Sequence, residues 1–495
     1  MRRQNRSNLY LTIDQGGHAS RALIFNEDGL TQSEGYEEIR TICQKEDWVE
    51  HNPEEMVASI EKAITKAIDN LGDGIDNIIA AGLATQRSSI VCWDKRNGEA
   101  LSPIISWQDR RAASWIQDYF SYEDYIHRTT GLFPTAHYGV SKLKWCLDHL
   151  PAVQSACRQG TLVWGPMVSF LIYRLVDKHP LLVDPANASR TLLWNMYTLD
   201  WDTDLLNLFN IPRKTLPFCV PTQYSFGNLN IHGKMVPLEI VTGDQSAALF
   251  AYGRPDVTTA YINIGTGAFV QRLFSNSTHY APKLLTSVVS QIGDEVQYVL
   301  EGTVNGAGSA LVKLEQELGI DPMEAQNELP ELMRRIDTTV IFLNGISGLG
   351  APFWVPNFES RFIGNSDQWG KLIAVAESIA FLIQVNLEEM QKICPAPDQL
   401  LLSGGLAQIN ELCQRITDLS GVPACRPMEC EATARGTAWL LMNKDVSWLE
   451  QETGKMFSPT PNPRLDQKYT AWKRAMKKGI RETRLTSPDS HSYPT

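Results

Sequence analysis

The order of apolar and polar residues at the start of the chain predicts a β-hairpin followed by a helix and a strand. The run Leu9–Ile13 favours a strand, Asp14–Gly17 supplies turn-forming residues, and Arg21–Phe25 resumes the strand character. Pro53–Leu71 then has helical periodicity, and Ile78–Leu83 is a short apolar run typical of a buried strand. This alternation predicts an α/β fold.

A second predicted hairpin lies past the middle of the chain. Thr259–Ile264 and Ala268–Val270 flank the small-residue sequence Gly265-Thr266-Gly267. It begins about 250 residues after the first hairpin and repeats its layout. We therefore expect an internal duplication that gives two domains.

The C-terminal region predicts a strand, a glycine turn and two helices. Leu400–Leu402 leads into Gly404-Gly405, and the next segment carries apolar residues at helical spacing at Leu412, Ile416 and Leu419. A last helix is predicted at about Tyr469–Glu482. The segment 485–495 is rich in Ser, Pro and His, and we expect it to be a disordered tail.

Length, charge and cysteine usage narrow the class of protein. A chain of 495 residues is too long for one ordinary core, so two large domains are expected. Its net charge of -11 argues against nucleic acid or an anionic membrane as the main partner. The nine cysteines form no C-x-x-C pair, which disfavours a zinc site or a disulfide framework and favours a reducing cytoplasm. No apolar run read from the sequence resembles a signal peptide or a membrane span.

Three glycine-containing loops are candidates for phosphate or nucleotide binding. Asp14 ends a predicted strand just before Gly16 and Gly17, so its carboxylate could face Mg²⁺ while loop N–H groups face phosphate. Gly265–Gly267 and Gly404-Gly405 could let a nucleotide approach the backbone closely. Each loop taken alone is better explained as a plain turn, and only the three loops together favour a binding role. The sequence G-x-x-x-x-G-K-[ST] is absent, which excludes a P-loop.

Asp244 has two interpretations. It precedes small and apolar helix-forming residues, and by spacing alone a helix N-cap is its simplest role. The alternative is a general base that takes a proton from a hydroxyl as that hydroxyl attacks a phosphorus atom.

A resemblance to a known family favours the second interpretation. The chain resembles the FGGY family of carbohydrate kinases, and within it the glycerol kinases, from about Leu9 to Trp472. The segments that carry the resemblance are Trp48–Pro53, Thr85–Arg87, Ser106–Arg111, Asn187–Thr191, Leu199–Asp202, Gly243–Gln245, Gly265–Gly267, Leu300–Gly302, Gly348–Trp354 and Glu377–Ile379. The resemblance implies two actin-like domains of the ribonuclease H type, with the active site in the cleft between them. We place the N-terminal domain at 1–250 and the C-terminal domain at 251–484.

The resemblance also implies roles for individual residues, with ATP and Mg²⁺ as the cofactors. Asp244 matches the catalytic base, and Asp14 matches the acid that faces magnesium. The substrate pocket is expected at Arg87, Ser88, Trp107, His137, Asp244, Gln245 and Phe269. Nucleotide binding is expected at Asp14, Gly16, Gly17, His18, Arg21, Gly265, Thr266, Gly308, Gly404, Gly405 and Asn410.

Three positions depart from the glycerol kinase pattern. The first phosphate loop lacks three hydroxyl residues and carries His18, which either donates to a phosphate or faces solvent. Ser88 replaces a glutamate that accepts hydrogen bonds from glycerol, a loss worth about 1.5–3 kcal/mol. His137 replaces a tyrosine. These changes favour an acceptor that differs from glycerol, and the lost side chains leave room for a larger one. The hypothesis is a three- to five-carbon polyol or ketose.

The sequence therefore predicts a cytoplasmic enzyme that phosphorylates a hydroxyl of a small polyol or sugar with ATP. Asp244 is the expected base, and closure of the domains is expected to exclude water. Two alternatives remain. One is a catalytically weakened kinase fold that acts as a nucleotide-dependent binder or regulator; the other is an actin-like ATPase without a small acceptor. The family implies a homodimer or homotetramer.

Overall fold

The computed structural model describes residues 8–274, 280–428, 431–442, 448 and 454–486. These residues fall into two compact units. The first unit comprises the described residues of Met1–Pro255, Ser287–Tyr298 and Glu431–Glu450, and the second those of Asp256–Thr286, Val299–Cys430 and Gln451–Thr495. The predicted domains were two continuous segments, 1–250 and 251–484. The units observed are discontinuous, because described residues of Ser287–Tyr298 and Glu431–Glu450 belong to the first unit.

The first unit contains fourteen strands among its described residues before position 250. In chain order they are β1 (Leu9–Gln15), β2 (Ala19–Asn26), β3 (Thr31–Glu38), β4 (Glu50–His51), β5 (Ile78–Thr85), β6 (Ile90–Asp94), β7 (Ile104–Ile105), β8 (Leu162–Pro166), β9 (Leu182–Val183), β10 (Trp194–Asn195), β11 (Asp200–Trp201), β12 (Phe218–Cys219), β13 (Asn228–Ile231) and β14 (Lys234–Gly243). Six of them form a sheet in the order β13-β14-β5-β1-β2-β3. Strands β14, β5 and β1 are parallel, so their carboxyl ends lie at one edge.

Nine helices lie among the described residues before position 250. They are α1 (Pro53–Leu71), α2 (Ala113–Gln117), α3 (Glu123–Thr130), α4 (Gly139–His149), α5 (Pro151–Gln159), α6 (Met167–Leu175), α7 (Pro185–Ala188), α8 (Thr203–Leu208) and α9 (Asp244–Ala248). The predicted helix Pro53–Leu71 is confirmed. Asn52 caps it by accepting from the N–H groups of Glu54 and Glu55, and Pro53 takes the first helical position, where no N–H is needed.

The remaining strands form the second sheet and a short ribbon. They are β15 (Thr259–Ile264), β16 (Ala268–Phe274), β17 (Leu285–Ile292), β18 (Glu295–Val304), β19 (Ile341–Leu343), β20 (Arg361–Ile363), β21 (Gln399–Ser403), β22 (Ala424–Arg426) and β23 (Lys455–Phe457). The sheet order is β17-β18-β16-β15-β21-β22-β23. Strand β15 is antiparallel to β16 and parallel to β21, as β1 is to β2 and β5. The layout of the first sheet is thus repeated.

Six helices follow in the described residues of the C-terminal half: α10 (Gly308–Leu318), α11 (Pro322–Arg335), α12 (Gln368–Met390), α13 (Asn410–Ser420), α14 (Ala432–Met442) and α15 (Pro463–Thr486). Helix α12 is long and apolar enough to cross a membrane, but 89% of its most apolar stretch is buried inside the protein, as in a core helix. Helix α15 is longer than predicted and includes Leu485 and Thr486, while 487–495 lie outside the described residues.

Candidate active site

The first predicted phosphate loop is a tight hairpin between β1 and β2. The sequence assigned Asp14 and Gln15 to the turn, and this is wrong, because both continue the strand: Asp14 pairs with Arg21, and Gln15 with Ser20. Gly16 donates its N–H to the Ala19 carbonyl, so that donor is used within the turn. Among the described residues, no backbone hydrogen bond occupies the N–H groups of Gly17 and His18, which lie at the tip. His18 is exposed.

The Asp14 carboxyl group lies in an acidic environment at the end of β1. Burial, together with the charges of Asp244 and Glu431, raises the pKa of Asp14 to about 7, and Arg21 opposes this shift. The Arg21 guanidinium lies 2.8 Å from Glu431 Oε2. Arg21 thus connects the first hairpin to the residue that precedes α14.

Asp244 is the first residue of α9, as the sequence predicted. Gly243, not Asp244, occupies the N-cap position, and the Asp244 Oδ1 atom accepts the Gln245 N–H at 2.7 Å. The side chain of Asp244 is 32% exposed, so a small molecule can reach it. The carboxylate is therefore held in place without serving as the cap.

Arg87 lies beside Asp244. Its Nε atom is 4.0 Å from Asp244 Oδ1, and its Nη2 atom donates to Gln245 Oε1. The side chain is 7% exposed. Arg87 follows the carboxyl end of β5, which pairs with β14, and this pairing explains the proximity. The predicted pocket residues Arg87, Asp244 and Gln245 are thus brought together.

Trp107 and His137 form the next part of the pocket. The backbone N–H of Trp107 donates to Ser89 Oγ at 3.1 Å. The centroids of the Trp107 and His137 rings lie 5.5 Å apart. Burial lowers the pKa of His137 well below its usual value, and the charges of Lys142, Arg110, Arg190 and Arg87 lower it further. The imidazole is therefore neutral at neutral pH.

Ser88 has an unusual conformation. Its φ angle is +65°, in the left-handed region that non-glycine residues seldom adopt. The residue is 3% exposed, and its Oγ atom has no hydrogen-bond partner within the described part of the chain. Backbone strain together with an unsatisfied buried hydroxyl is typical of a functional site.

The second unit contains the other predicted loops. Gly265 accepts the N–H of Gly308, and Thr266 accepts those of Ala307 and Ser309, so the loop rests on the N-terminus of α10. Gly308 thus supports the loop: its N–H donates to the Gly265 carbonyl, and a Cβ at position 308 would lie 2.8 Å from that oxygen. The side chain of Thr266 is exposed.

Gly404, predicted to bind nucleotide with Gly405 and Asn410, lies against Ile264 at the start of the same loop. Its φ and ψ angles are 89° and 169°, and a Cβ would lie 2.6 Å from the Ile264 carbonyl oxygen. Gly405 faces open space, and Asn410 begins α13 with a buried Oδ1 atom that has no partner among the described residues. Phe269 also lies in this unit, half-buried on β16 and opposite Asn263.

The sequence did not single out several residues that shape these sites. Lys142 is 1% exposed and donates to the carbonyl groups of Ala136 and His137 at 2.8 and 2.5 Å. Asp184 is fully buried and accepts from both nitrogens of Asn187, whose Oδ1 atom accepts the Thr85 hydroxyl. The sequence signal that could have identified them is a charged residue, Lys142 or Asp184, within a mainly apolar segment.

Comparisons with known proteins agree with this architecture. Residues 9–251 match the N-terminal domain of the FGGY family of carbohydrate kinases, and residues 260–443 match its C-terminal domain. The chain is 32% identical over 485 residues to a glycerol kinase of Streptococcus gordonii, covering 94% of this chain and 97% of that protein. It is 32% identical over 486 residues to a glycerol kinase of Thermococcus kodakarensis, covering 95% and 97%.

The fold is also similar to that of a solved structure. The crystal structure of Plasmodium falciparum glycerol kinase with ADP superposes with a TM-score of 0.86 at 24% identity, covering 96% of this chain and 98% of that one. This likeness supports the two-domain actin-like fold.

Proposed function

Because the chain belongs to the FGGY family of carbohydrate kinases, we propose that it transfers the γ-phosphoryl group of ATP to a polyol or sugar with Asp244 as the general base. The protein is a sugar or polyol phosphotransferase by its family and its relatives. The observation that carries the assignment of Asp244 is its position: an accessible carboxylate at the start of α9, beside Arg87 and fixed by the Gln245 N–H.

The proposed reaction is an in-line transfer. The acceptor hydroxyl gives its proton to the Asp244 carboxylate while its oxygen forms a bond to the γ-phosphorus atom. The bond from that phosphorus to the β,γ-bridging oxygen breaks, and ADP leaves with the electron pair. Arg87 and Gln245 position the acceptor, and Trp107 supplies an apolar wall for its carbon chain.

Asp14 is the residue we propose to hold magnesium. Its pKa is raised by burial and by the charge of Asp244, so a cation here would relieve unfavourable electrostatics. Among the described residues no cluster of three or more His, Cys, Asp or Glu could hold a metal. Magnesium ions that bind nucleotides take most of their ligands from phosphate and water, so one carboxylate fits. The ion would neutralise charge on the ATP phosphates.

The loops of the second unit are the proposed nucleotide site. Thr266 would face phosphate with its backbone N–H and its hydroxyl, in a loop that Gly265 closes by donating its own N–H to the Gly267 carbonyl. Gly404 and Gly405 would let the nucleoside approach the backbone. The buried Oδ1 atom of Asn410, unsatisfied within the described structure, supports a polar contact to adenosine, because such atoms normally have a partner. In the first unit, Gly17, His18 and Arg21 would complete phosphate binding.

The acceptor we propose is a three- to five-carbon polyol or ketose other than glycerol. The resemblance to glycerol kinases implies a glutamate and a tyrosine at the positions of Ser88 and His137, so the side chains expected to hold glycerol are replaced here. Phe269 would complete the wall of the pocket. Ordinary affinity for glycerol, with no turnover of any larger acceptor, would refute this assignment.

ADP release across a panel of polyols and sugars tests the proposal. We expect at least one acceptor to raise ADP release by the wild type above that by Asp244→Asn, and the product to contain a phosphate ester by ³¹P NMR. If the wild type binds ADP yet releases it no faster than Asp244→Asn with every acceptor, the kinase proposal fails. A nucleotide-dependent binder or regulator would then be the better description.

We also propose a cytoplasmic enzyme that assembles as a homodimer or homotetramer. This rests on family membership alone. Sedimentation of the purified chain checks the assembly, and a single species at the monomer mass would contradict it.

A further inference from the structure

A buried ion pair follows Trp107 in the chain: Asp109 and Arg111 stand two and four residues after it. The Arg111 guanidinium binds the Asp109 carboxylate through two nitrogens, with Nε 2.9 Å from Oδ1 and Nη2 2.7 Å from Oδ2. Glu50 Oε1 on β4 lies 2.7 Å from the same Nη2 atom. The side chains of Asp109 and Arg111 are fully buried. A two-pronged pair of this kind fixes the orientation of both partners.

Two tryptophan rings enclose the Arg111 guanidinium. Its Cζ atom is 3.9 Å from the ring centroid of Trp48 and 4.5 Å from that of Trp145. The two rings meet edge to face, with centroids 5.1 Å apart. A guanidinium is planar and carries its donors in a fixed fork, so it can bind carboxylates at its edge while its faces lie on aromatic rings. A lysine could not make both kinds of contact.

Asp109 connects this arginine to the turn that contains Trp107. Its Oδ2 atom accepts the Val49 N–H at 2.8 Å, and the Val49 carbonyl accepts the Ser106 N–H at 2.9 Å. The Asp109 N–H donates to the Ser106 carbonyl at 3.1 Å, which closes the turn. The turn that contains Trp107 is thus tied to Val49 at both of its ends.

The first unit contains a similar pair at Asp94 and Arg96. There too the guanidinium binds the carboxylate through Nε and Nη2, at 3.0 and 2.6 Å. That pair lies where β6 ends, and the Arg96 side chain is 63% exposed. Such a pair therefore does not need a buried arginine. Because burying an ion pair costs desolvation free energy, the burial of Asp109 with Arg111 points to a role in fixing the local conformation.

We propose that Asp109 and Arg111 are positioning residues that form a clamp and hold the Trp107 wall of the acceptor pocket in place. The inference rests on the proposed kinase function, in which Trp107 lies against the carbon chain of the acceptor. Both side chains of the clamp are fully buried, so they act through the backbone of the turn and not by contact with the acceptor. The Trp107 ring lies 5.5 Å from that of His137, so a displaced turn would alter the pocket at both rings.

Arg111→Lys tests the clamp, with Arg96→Lys as the matched control. Lysine keeps the charge but loses the two-pronged bond and the aromatic stacking. With the most active of glycerol, erythritol, xylitol and xylulose, we expect Arg111→Lys to raise the KM for the acceptor about tenfold, while kcat and the KM for ATP stay within about twofold of wild type. Arg96→Lys should leave all three parameters unchanged.

A double variant separates positioning from general destabilisation. In Trp107→Ala the wall is already missing, so adding Arg111→Lys should change the acceptor KM less than about twofold. An equal rise in both backgrounds, or a parallel loss in kcat and in the KM for ATP, would overturn the inference. If Arg111→Lys does not fold, Trp145→Phe, which reduces one of the rings against the arginine, should raise the acceptor KM in the same selective way.

Fluorine NMR of the full chain labelled with fluorotryptophan tests the clamp without turnover. The chain has 13 tryptophans, and the Trp107 signal is assigned by its loss in Trp107→Phe. We expect this signal to shift or broaden in Arg111→Lys and to stay in place in Arg96→Lys. The signal of Trp472, in the second unit, should keep its position in both variants.

The fluorine signal also distinguishes this inference from the proposed function. A Trp107 signal that is the same in Arg111→Lys and in the wild type would overturn the clamp, whatever the kinetics show. If no acceptor stimulates ADP release by the wild type, the kinase proposal fails, and the Trp107 signal still decides whether Asp109 and Arg111 position this tryptophan.

Discussion

The Arg87 side chain crosses Gly243 so closely that a Cβ on residue 243 would lie 2.5 Å from Arg87 Cδ and 2.6 Å from Arg87 Cγ. Gly243 has an ordinary φ of -88°, so its lack of a side chain, and not its backbone freedom, is what the site uses. The glycine leaves room for the guanidinium to lie beside Asp244.

Gly243→Ala should therefore displace Arg87 and impair catalysis. We expect kcat/KM for the acceptor to fall about 100-fold, because a displacement of about 1 Å in a positioning group has that effect. Steady-state kinetics check this. The control compares Arg87→Ala with the double variant Arg87→Ala/Gly243→Ala. Once the arginine side chain is removed, adding Gly243→Ala should lower kcat/KM only slightly. Equal losses in both backgrounds would contradict the steric explanation.

Gly436→Ala tests how α14 supports the helix that carries Asp244. A Cβ on Gly436 would lie 1.8 Å from the Ala247 carbonyl oxygen, so α9 would have to move. In an exposed helix the same substitution stabilises by about 1 kcal/mol. Here we expect the free energy of unfolding to fall by about 1–3 kcal/mol, together with a lower kcat. Chemical denaturation gives the sign of the change in the free energy of unfolding. A Gly436→Ala protein that is stabilised and fully active would contradict the packing described.

Gly404 and Gly405 form a matched pair in the second unit. Gly404 has a φ of 89° and lies against Ile264, whereas a Cβ on Gly405 would meet no atom within 4 Å. Alanine should therefore lower the thermal midpoint at 404, at a cost of about 1–3 kcal/mol for the backbone alone, and should not do so at 405. Equal midpoints for Gly404→Ala and Gly405→Ala would contradict this difference.

Asp184→Asn should change the pH dependence of stability. Burial raises the pKa of Asp184 to about 7 in the folded protein, against about 4 in an unfolded chain. Below pH 4 the Asp184 carboxyl is neutral in both the folded and the unfolded protein, so its contribution to the free energy of unfolding is fully present. Between about pH 4 and 7 the unfolded chain loses the proton first, and stability falls by up to about 1.4 kcal/mol per pH unit.

The asparagine side chain cannot ionise, so the free energy of unfolding of Asp184→Asn should lose this slope. Urea denaturation at several pH values from about 4 to 8 measures it. Asp118→Asn, at an exposed carboxylate, is the control that should keep the wild-type slope. A parallel slope in Asp184→Asn and wild type would show that Asp184 is ionised in the folded state.

Local patterns predicted several of the secondary elements, because their signals lie in neighbouring residues. The strand at Leu9 follows from a short run of β-forming residues, and the helix Pro53–Leu71 follows from Asn52 and Pro53 at its start. The start of α9 follows from the small residues after Asp244. The turn at Asp14 was misplaced by two residues. Turn-forming residue types do not reveal which residues pair across a hairpin. Pairing with Arg21 and Ser20 keeps Asp14 and Gln15 in the strand.

The environment of the site could not be predicted in the same way. Asp14 and Asp244 influence each other although they are far apart in sequence, because β5 joins β1 to β14 in one parallel sheet. Glu431 reaches Arg21 only because α14 packs in the first unit. A buried basic residue such as Lys142 looks like a surface residue in a sequence, so its burial appears only in three dimensions.

The most direct test of the central claim is the turnover of Asp244→Asn with the best acceptor found, measured beside ADP affinity. If Asp244 is the base, kcat should fall about 100- to 10,000-fold while ADP affinity and the thermal midpoint stay close to wild type. An Asp244→Asn protein that keeps more than about a tenth of the wild-type kcat would contradict the assignment of Asp244 as the catalytic base.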